Sequence, residues 1–398
     1  MRVQKYIVSK LFFICIFCQL VFSTLVAQNL TRIDIKTDQI INFEKYVRAE
    51  IVIDEDPALC LGGKIRCRGG FSSKFYKHSY RLELDNKYGL CGMPEEDDWI
   101  LNANYIDKTF MRHKISFDLF NQMGDNCLAP NSRYAKISVN EEYKGIFVVM
   151  QFVGAKFVGI DKKDDAAFLF KEPPIFYRPN TYTPVDLNDP YEQKFPKLKD
   201  KNITYLAQNL QEFLHNSSDS VFIENVGRIF DLDNIANWHI LLLLTNNADG
   251  ILKNFYLYRR YSNDLIKIAI WDYDHSFGRD GDNEYNMLTN KVDCNKNVLL
   301  RRLMELNATG YKRILLDTWN KHRKSGTISY LNILKMIFAN HMAISGELKN
   351  NFNRWPASST DYFDDNNYFQ EINIIMQYLQ IRIPELDLYF KKLAKENR

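Results

Sequence analysis

At 398 residues, with 46% hydrophobic and 14% aromatic content, the chain is a folded globular protein and exceeds what a single hydrophobic core usually serves, about 250–300 residues. Its 52 basic and 49 acidic residues leave a formal net charge of +3. Nothing in that balance favours nucleic acid, which needs a clustered basic excess.

Residues 1–27 have the pattern of a secretory signal: Arg2, Lys5 and Lys10 make a basic start, Leu11 to Phe22 an apolar run, and Leu25-Val26-Ala27 a small-residue cleavage site. The run is too short for an ordinary membrane span. Export with removal of this segment is the expectation, and an uncleaved anchor the alternative. Removal takes away three cations and no anion, so the remaining charge is balanced. It leaves Cys60, Cys67, Cys91, Cys127 and Cys294, an odd set without a CxxC metal pair. One bridge among the first four and free buried thiols both remain open.

In chain order, residues 33–41 and 46–53 read as strands. Lys64 to Arg68 alternates, runs into Gly69-Gly70-Phe71-Ser72-Ser73, and His78 to Leu84 alternates again. Such a strand, loop and strand can bring backbone N–H groups, hydroxyls and the charge of Lys77 or Arg81 to a phosphate, or be a plain hairpin turn. Neither common glycine-rich phosphate-loop fingerprint is present. Residues 109–123 have helical spacing, and Arg112 near the start either reaches a neighbouring site or, as the default, caps a solvated face. Residues 133–139 and 144–153 read as strands. Between Pro173 and Pro196 lie six of the 11 prolines, which marks an irregular crossover. Beyond it, 205–214 and 234–244 are helical, the second apolar on nearly every face and opening at Asp231 or Asp233. Residues 298–313, 328–352 and 368–395 complete a helical remainder, with Pro384 starting or kinking the last helix.

The division is therefore a β-rich part over 28–172, a crossover over 173–200 and a helical part over 201–398. The helical part carries the stretch 246–278, in which Phe255 to Tyr261 and Leu265 to Trp271 form a hairpin around Ser262-Asn263-Asp264. At its ends stand Asp249, Asn254, Asp272 and Asp274. Magnesium takes one or two carboxylates plus substrate phosphates, with an amide oxygen acceptable. The order of Asp, Asn four residues after the next, and Asp at the hairpin exit matches catalytic base, metal-binding Asn and metal-binding Asp in protein kinases. Turn capping would account for the same residues. Regular alternation would point Asp272 and Asp274 to one face, which a cation or open solvent makes tolerable. His275 reads as structural or exposed rather than as a proton shuttle. No GxSxG serine or paired cysteine suggests a hydrolase triad.

Arg66 to Ser73 with Lys77 to Leu82, the run DDWILNANYIDKTFMRHKISFDLF, the strand at Tyr143 to Phe147, YEQKFP, Asp249 to Tyr258 and WDYDHSFG occur together over roughly residues 60–280. In that order they resemble the CotH kinase-like family of atypical kinases. The resemblance implies an α+β, two-lobed kinase-like fold with a mainly β N-terminal lobe and a mainly α C-terminal lobe. It implies magnesium- or manganese-dependent transfer of the terminal phosphate of ATP to serine of a protein substrate; the signal pattern puts that activity outside the cytoplasm. By position, Asp249 would be catalytic, Asp272 the principal metal ligand, Asn254 and Asp274 its supports, and Arg68, Ser72, Lys77 and Arg81 nucleotide-binding. Gly70 stands where the family usually has Asn, and Gln151 where an acid is common. A kinase-fold binding or assembly protein of the envelope, weak or inactive in catalysis, is the alternative these departures allow.

Overall fold

The computed structural model describes residues 30–54, 56–177, 184, 186–279, 291–356 and 366–396. The expected signal segment lies outside them. The strands are β1 (Thr31–Lys36), β2 (Val47–Ile53), β3 (Asp56–Arg68), β4 (Ser79–Tyr88), β5 (Glu96–Asn102), β6 (Ser132–Val139) and β7 (Glu142–Gln151). These seven close into a barrel in the order β1-β2-β3-β4-β5-β7-β6, sealed by the parallel pairing of β1 with β6. Alternation fills its interior: β2 turns Val47, Ala49, Ile51 and Ile53 inward and leaves Arg48 and Glu50 outside. Ile33, Ile65, Leu82, Trp99, Ala135 and Phe147 complete that core.

β7 departs from alternation because both its faces are covered. Phe147 and Val149 fill the barrel, while Ile146, Val148 and Met150 join a second, larger core outside it. The apolar run Gly145 to Met150 is thus the shared wall of the two cores. Helix α1 (Arg112–Met123) packs in the second core through Ile115, Leu119 and Phe120. So does β8 (Phe168–Lys171), which pairs with β10 (Phe255–Arg259) in a four-stranded antiparallel sheet, β11-β10-β8-β9. Here β9 is Gln193–Phe195 and β11 is Lys267–Ile270. The proline-rich crossover therefore contributes one sheet edge.

The remainder is helical: α2 (Thr204–Asn216), α3 (Asp219–Ile229), α4 (Leu232–Thr245), α5 (Val298–Glu305), α6 (Tyr311–Ser325), α7 (Tyr330–Ile344), α8 (Leu348–Arg354) and α9 (Tyr368–Glu396). Two of the expected long helices are each two shorter ones. The last contains Pro384 within a continuous helix. α4 opens at Asp231, whose side chain accepts from the Asn234 N–H. It is buried on all sides, including Ile235, Trp238, Ile240, Leu241 and Leu244, and each such side chain contributes about 1.5–3 kcal/mol of burial. The fold is α+β, with a β-rich first part and a helical second part. Among the described residues no helix is long and apolar enough to cross a membrane, and Cys60, Cys67, Cys127 and Cys294 are free thiols.

Candidate functional site at the hairpin ends

The site begins where α4 stops. Asn246 caps it in the left-handed conformation, φ 56°, and the carbonyls of Leu243 and Leu244 accept from Arg382 Nε (2.7 Å) and the Tyr378 hydroxyl (2.8 Å) of α9. These donors satisfy groups that a helix end leaves unpaired. Asp249 then opens a single 3₁₀ turn, Asp249–Ile251. Gly250 lets this turn pack closely on α4, since a Cβ would stand 2.8 Å from Leu242 Cδ2 and that side chain would have to shift. The Asp249 carboxylate pairs with Lys253 (Nζ to Oδ2 3.0 Å) and lies 3.9 Å from His275 Nδ1.

Asn254 and Asp272 occupy the two open ends of the β10–β11 hairpin, and both are left-handed, φ 64° and 56°. A non-glycine residue held there costs on the order of 1–3 kcal/mol and persists where its surroundings over-determine it. Here they do. Trp271 N–H donates to the Asn254 carbonyl (3.0 Å), and Asn254 Nδ2 donates to the Asp272 carbonyl (2.8 Å). The N–H of the same peptide unit, that of Tyr273, donates to His113 Nδ1 at 2.9 Å. One peptide plane is gripped at both ends.

β11 ends at Ile270, so strand alternation does not set the two carboxylates. The left-handed turn at Asp272 does. Asp272, Asp274 and His113 each present an atom within 4.8 Å of the others: His113 Nε2 is 3.4 Å from Asp272 Oδ1 and 3.9 Å from Asp274 Oδ2. Burial and the charge of Asp274 push the Asp272 carboxyl up. Asp274 is half-buried like Asp272, yet His275, His113 and the His275 N–H hold it down. His275 is mostly buried and stands between Asp274 (Nε2 to Oδ1 3.8 Å) and Asp249, so of the structural and exposed readings the exposed one does not hold.

Arg112 is a correction. It is fully buried rather than solvated, because its guanidinium donates to Asp107 Oδ1 (2.7 Å), Glu371 Oε2 (2.8 Å) and the Ser276 carbonyl (3.0 Å). That last bond pins the turn just beyond Asp274.

Of the four residues assigned to nucleotide, Arg68 faces this volume. Its guanidinium lies 5.5 Å from the Trp271 ring centre; burial pushes its pKa down while the Asp272 charge opposes that. Ser72 is exposed on a 3₁₀ turn, Phe71–Lys74. Arg81 is engaged elsewhere, with Asp98 through two bonds and over the Phe152 ring at 3.9 Å. Lys77 is buried, its ammonium on the carbonyls of Ala103 and Ile146 and on Asn351 Oδ1. Gln151 is also buried and accepts from Asn131 Nδ2 (2.8 Å).

The sequence reading missed His113, Lys253 and Glu172. Lys253 lies inside the catalytic-type segment and was visible there as the residue before Asn254. Glu172 is left-handed, φ 50°; burial raises its pKa, Lys171 opposes, and the Asp272 charge adds to the rise. No spacing in the sequence links His113 or Glu172 to the hairpin.

The inner spore coat protein H of Bacillus subtilis (strain 168) is 28% identical over 269 residues, 64% of this chain and 70% of that protein. A solved complex of the Shewanella oneidensis MR-1 toxin–antitoxin proteins HipA and HipB with operator DNA aligns over 76% of this chain and 62% of its own, at 10% identity. Its TM-score of 0.35 is too low to bear on the fold. A family model described as CotH kinase protein matches residues 65–385, which takes in the β3–β4 hairpin, the site and most of α9. The chain belongs to the CotH kinase protein family.

Proposed function

We propose that the chain is an exported phosphotransferase that moves the terminal phosphate of ATP onto serine of a protein substrate, with magnesium or manganese at the hairpin exit. The observation that carries this is the left-handed Asp272, held so that its carboxylate and that of Asp274 crowd one volume beside Asn254. Crowded carboxylates fit a hard divalent cation, because a shared positive charge removes the repulsion that otherwise raises Asp272. Asn254 spends its amide nitrogen on the Asp272 carbonyl, which leaves its oxygen as the further hard donor. When bound, the metal supplies charge neutralisation and orientation of the phosphates.

The other roles follow from placement. Asp249 is in reach to orient or deprotonate an attacking hydroxyl, and its neighbour Lys253 offers positive charge to a transferring phosphoryl group. Arg68 is the barrel's cation on the same volume, suited to the more distant phosphates. A two-lobed kinase arrangement would place ATP between the barrel and the four-stranded sheet. The basic, then apolar, start of the chain supports export.

A binding or assembly role without turnover is the second reading, favoured by Lys77 and Arg81 being engaged away from the site. Labelled ATP, a divalent metal and a casein-like acceptor separate the two, with Asp249→Asn and Asp272→Asn as controls. Label transferred to protein and lost in both variants supports the kinase. Free phosphate alone would indicate hydrolysis, and no turnover with retained nucleotide binding would indicate the assembly role.

A further inference from the structure

His113, Asp272 and Asp274 together have the composition of a metal centre, but the hydrogen bonding of the imidazole says otherwise. A neutral imidazole has one N–H and one lone pair, and the bond made by one nitrogen decides what the other can do. The Tyr273 backbone N–H can only donate, so Nδ1, 2.9 Å away, is the acceptor and carries the lone pair. Nε2 is therefore the N–H nitrogen, and it is the one facing Asp272 Oδ1 and Asp274 Oδ2. A protonated Nε2 has no lone pair for a cation. Asn102 Nδ2 stands 3.4 Å from the same nitrogen; with Nε2 protonated, that approach is not a hydrogen bond.

We infer that His113 is a positioning residue for the Asp272-Tyr273-Asp274 turn, acting as the acceptor for the Tyr273 N–H and not as a metal ligand. One rigid ring meets both the backbone and the charge of the turn: it accepts from the peptide between the two aspartates at 2.9 Å, and its Nε2 stands 3.4 and 3.9 Å from their carboxylates, an electrostatic approach rather than a hydrogen bond. Together with Asn254 on the carbonyl of that peptide, it fixes the left-handed Asp272. The ring is 2% exposed and sits on α1, so the second core holds it in place. The inference rests on the metal reading above for its consequence, and on hydrogen-bond geometry for its substance.

The test is ¹⁵N NMR of the histidine-labelled, metal-free protein, with the His113 signals assigned by their loss in His113→Gln. The expected result is protonated Nε2 and unprotonated Nδ1, unchanged when magnesium is added. Metal affinity, measured by calorimetry, should fall 10- to 100-fold in His113→Phe, the range typical of partners that orient ligands. It should largely return in His113→Gln, whose amide oxygen replaces the acceptor for the Tyr273 N–H. Protonated Nδ1, an Nε2 signal that responds to magnesium, or a glutamine variant as weak as the phenylalanine one would overturn the assignment. If the wild-type protein binds no magnesium, the phosphotransferase reading fails, while the spectrum still decides the tautomer.

Discussion

Arg112 and Glu371 are 259 residues apart in the chain and 2.8 Å apart in the fold, both almost wholly buried. Arg279 reaches the other oxygen of Glu371 at 3.0 Å, and Asp107 takes the remaining arm of Arg112. Among the described residues these two cations and two anions form a network joining the first turn of α1, the first turn of α9 and the segment after Asp274. Through the Ser276 carbonyl, Arg112 ties that network to the site.

Arg112→Met leaves Asp107 without its buried cation and Glu371 with one of two. The expected cost is about 3–5 kcal/mol, the range for breaking a buried pair from one side, read from the urea midpoint. Arg112→Lys should recover only part, because a single ammonium cannot replace three planar contacts. A methionine variant as stable as the parent would show the network to be inconsequential.

Gly70 stands where the resemblance implies Asn, and a Cβ there would meet no atom within 4 Å. Its backbone, φ −86° and ψ −99°, nevertheless lies outside the regions that side-chain-bearing residues populate. Gly69 is different: φ is +136° and a Cβ would lie 2.4 Å from Ser72 Oγ. Gly70→Asn should thus cost about 1–3 kcal/mol through backbone strain alone, and Gly69→Ala should cost more, because a steric clash adds to its unfavourable φ. Calorimetry with ATP then asks whether the added amide tightens binding. Equal destabilisation of the two variants would refute this account of the loop.

Periodicity made α4 legible, because a helix apolar on every face has to be buried, and turn chemistry made the β10–β11 hairpin legible. The spacing of Asp249, Asn254 and Asp272 then singled out a site. What pattern could not show was what each buried face meets. Arg112 looked solvated because its partners Glu371 and Ser276 come from distant elements. His113 was invisible for a related reason: its value lies in one backbone N–H, 160 residues away. The run in β7 reads as one strand, and only barrel closure shows that it serves two cores. The left-handed Asp272 has no sequence signature.

Gly145 carries a second steric argument. Its φ is +104°, and a Cβ would lie 2.5 Å from Asn351 Oδ1, the atom that accepts from Ile146 N–H (3.0 Å) and Lys77 Nζ (3.3 Å). That contact docks α8 on the barrel wall, beside the bond from Trp355 Nε1 to the Lys144 carbonyl. Gly145→Ala should cost roughly 1–3 kcal/mol by overpacking and backbone strain. Asn351→Ala removes the group it strikes, so the double variant should be less destabilised than the sum. Strict additivity in denaturant unfolding would count against the docking contact.

Acid sensitivity should trace to two interior histidines. Burial pushes His239 and His322 down to about 4; their rings meet the Tyr311 hydroxyl (3.3 Å) and Asn237 Oδ1 (2.7 Å). Above the ordinary value of 6.5, folded and unfolded chains are both neutral at these positions and neither contributes a slope. As the pH falls from 6.5 towards about 4, the unfolded chain takes up protons that the native rings refuse, so stability declines. The upper bound is roughly 1.4 kcal/mol per pH unit for each histidine. Denaturant titrations across that window should show the loss, and His322→Gln, whose amide can still donate to Asn237 without titrating, should flatten it. An unchanged slope in a His239→Phe, His322→Gln double variant would mean that other groups govern acid unfolding.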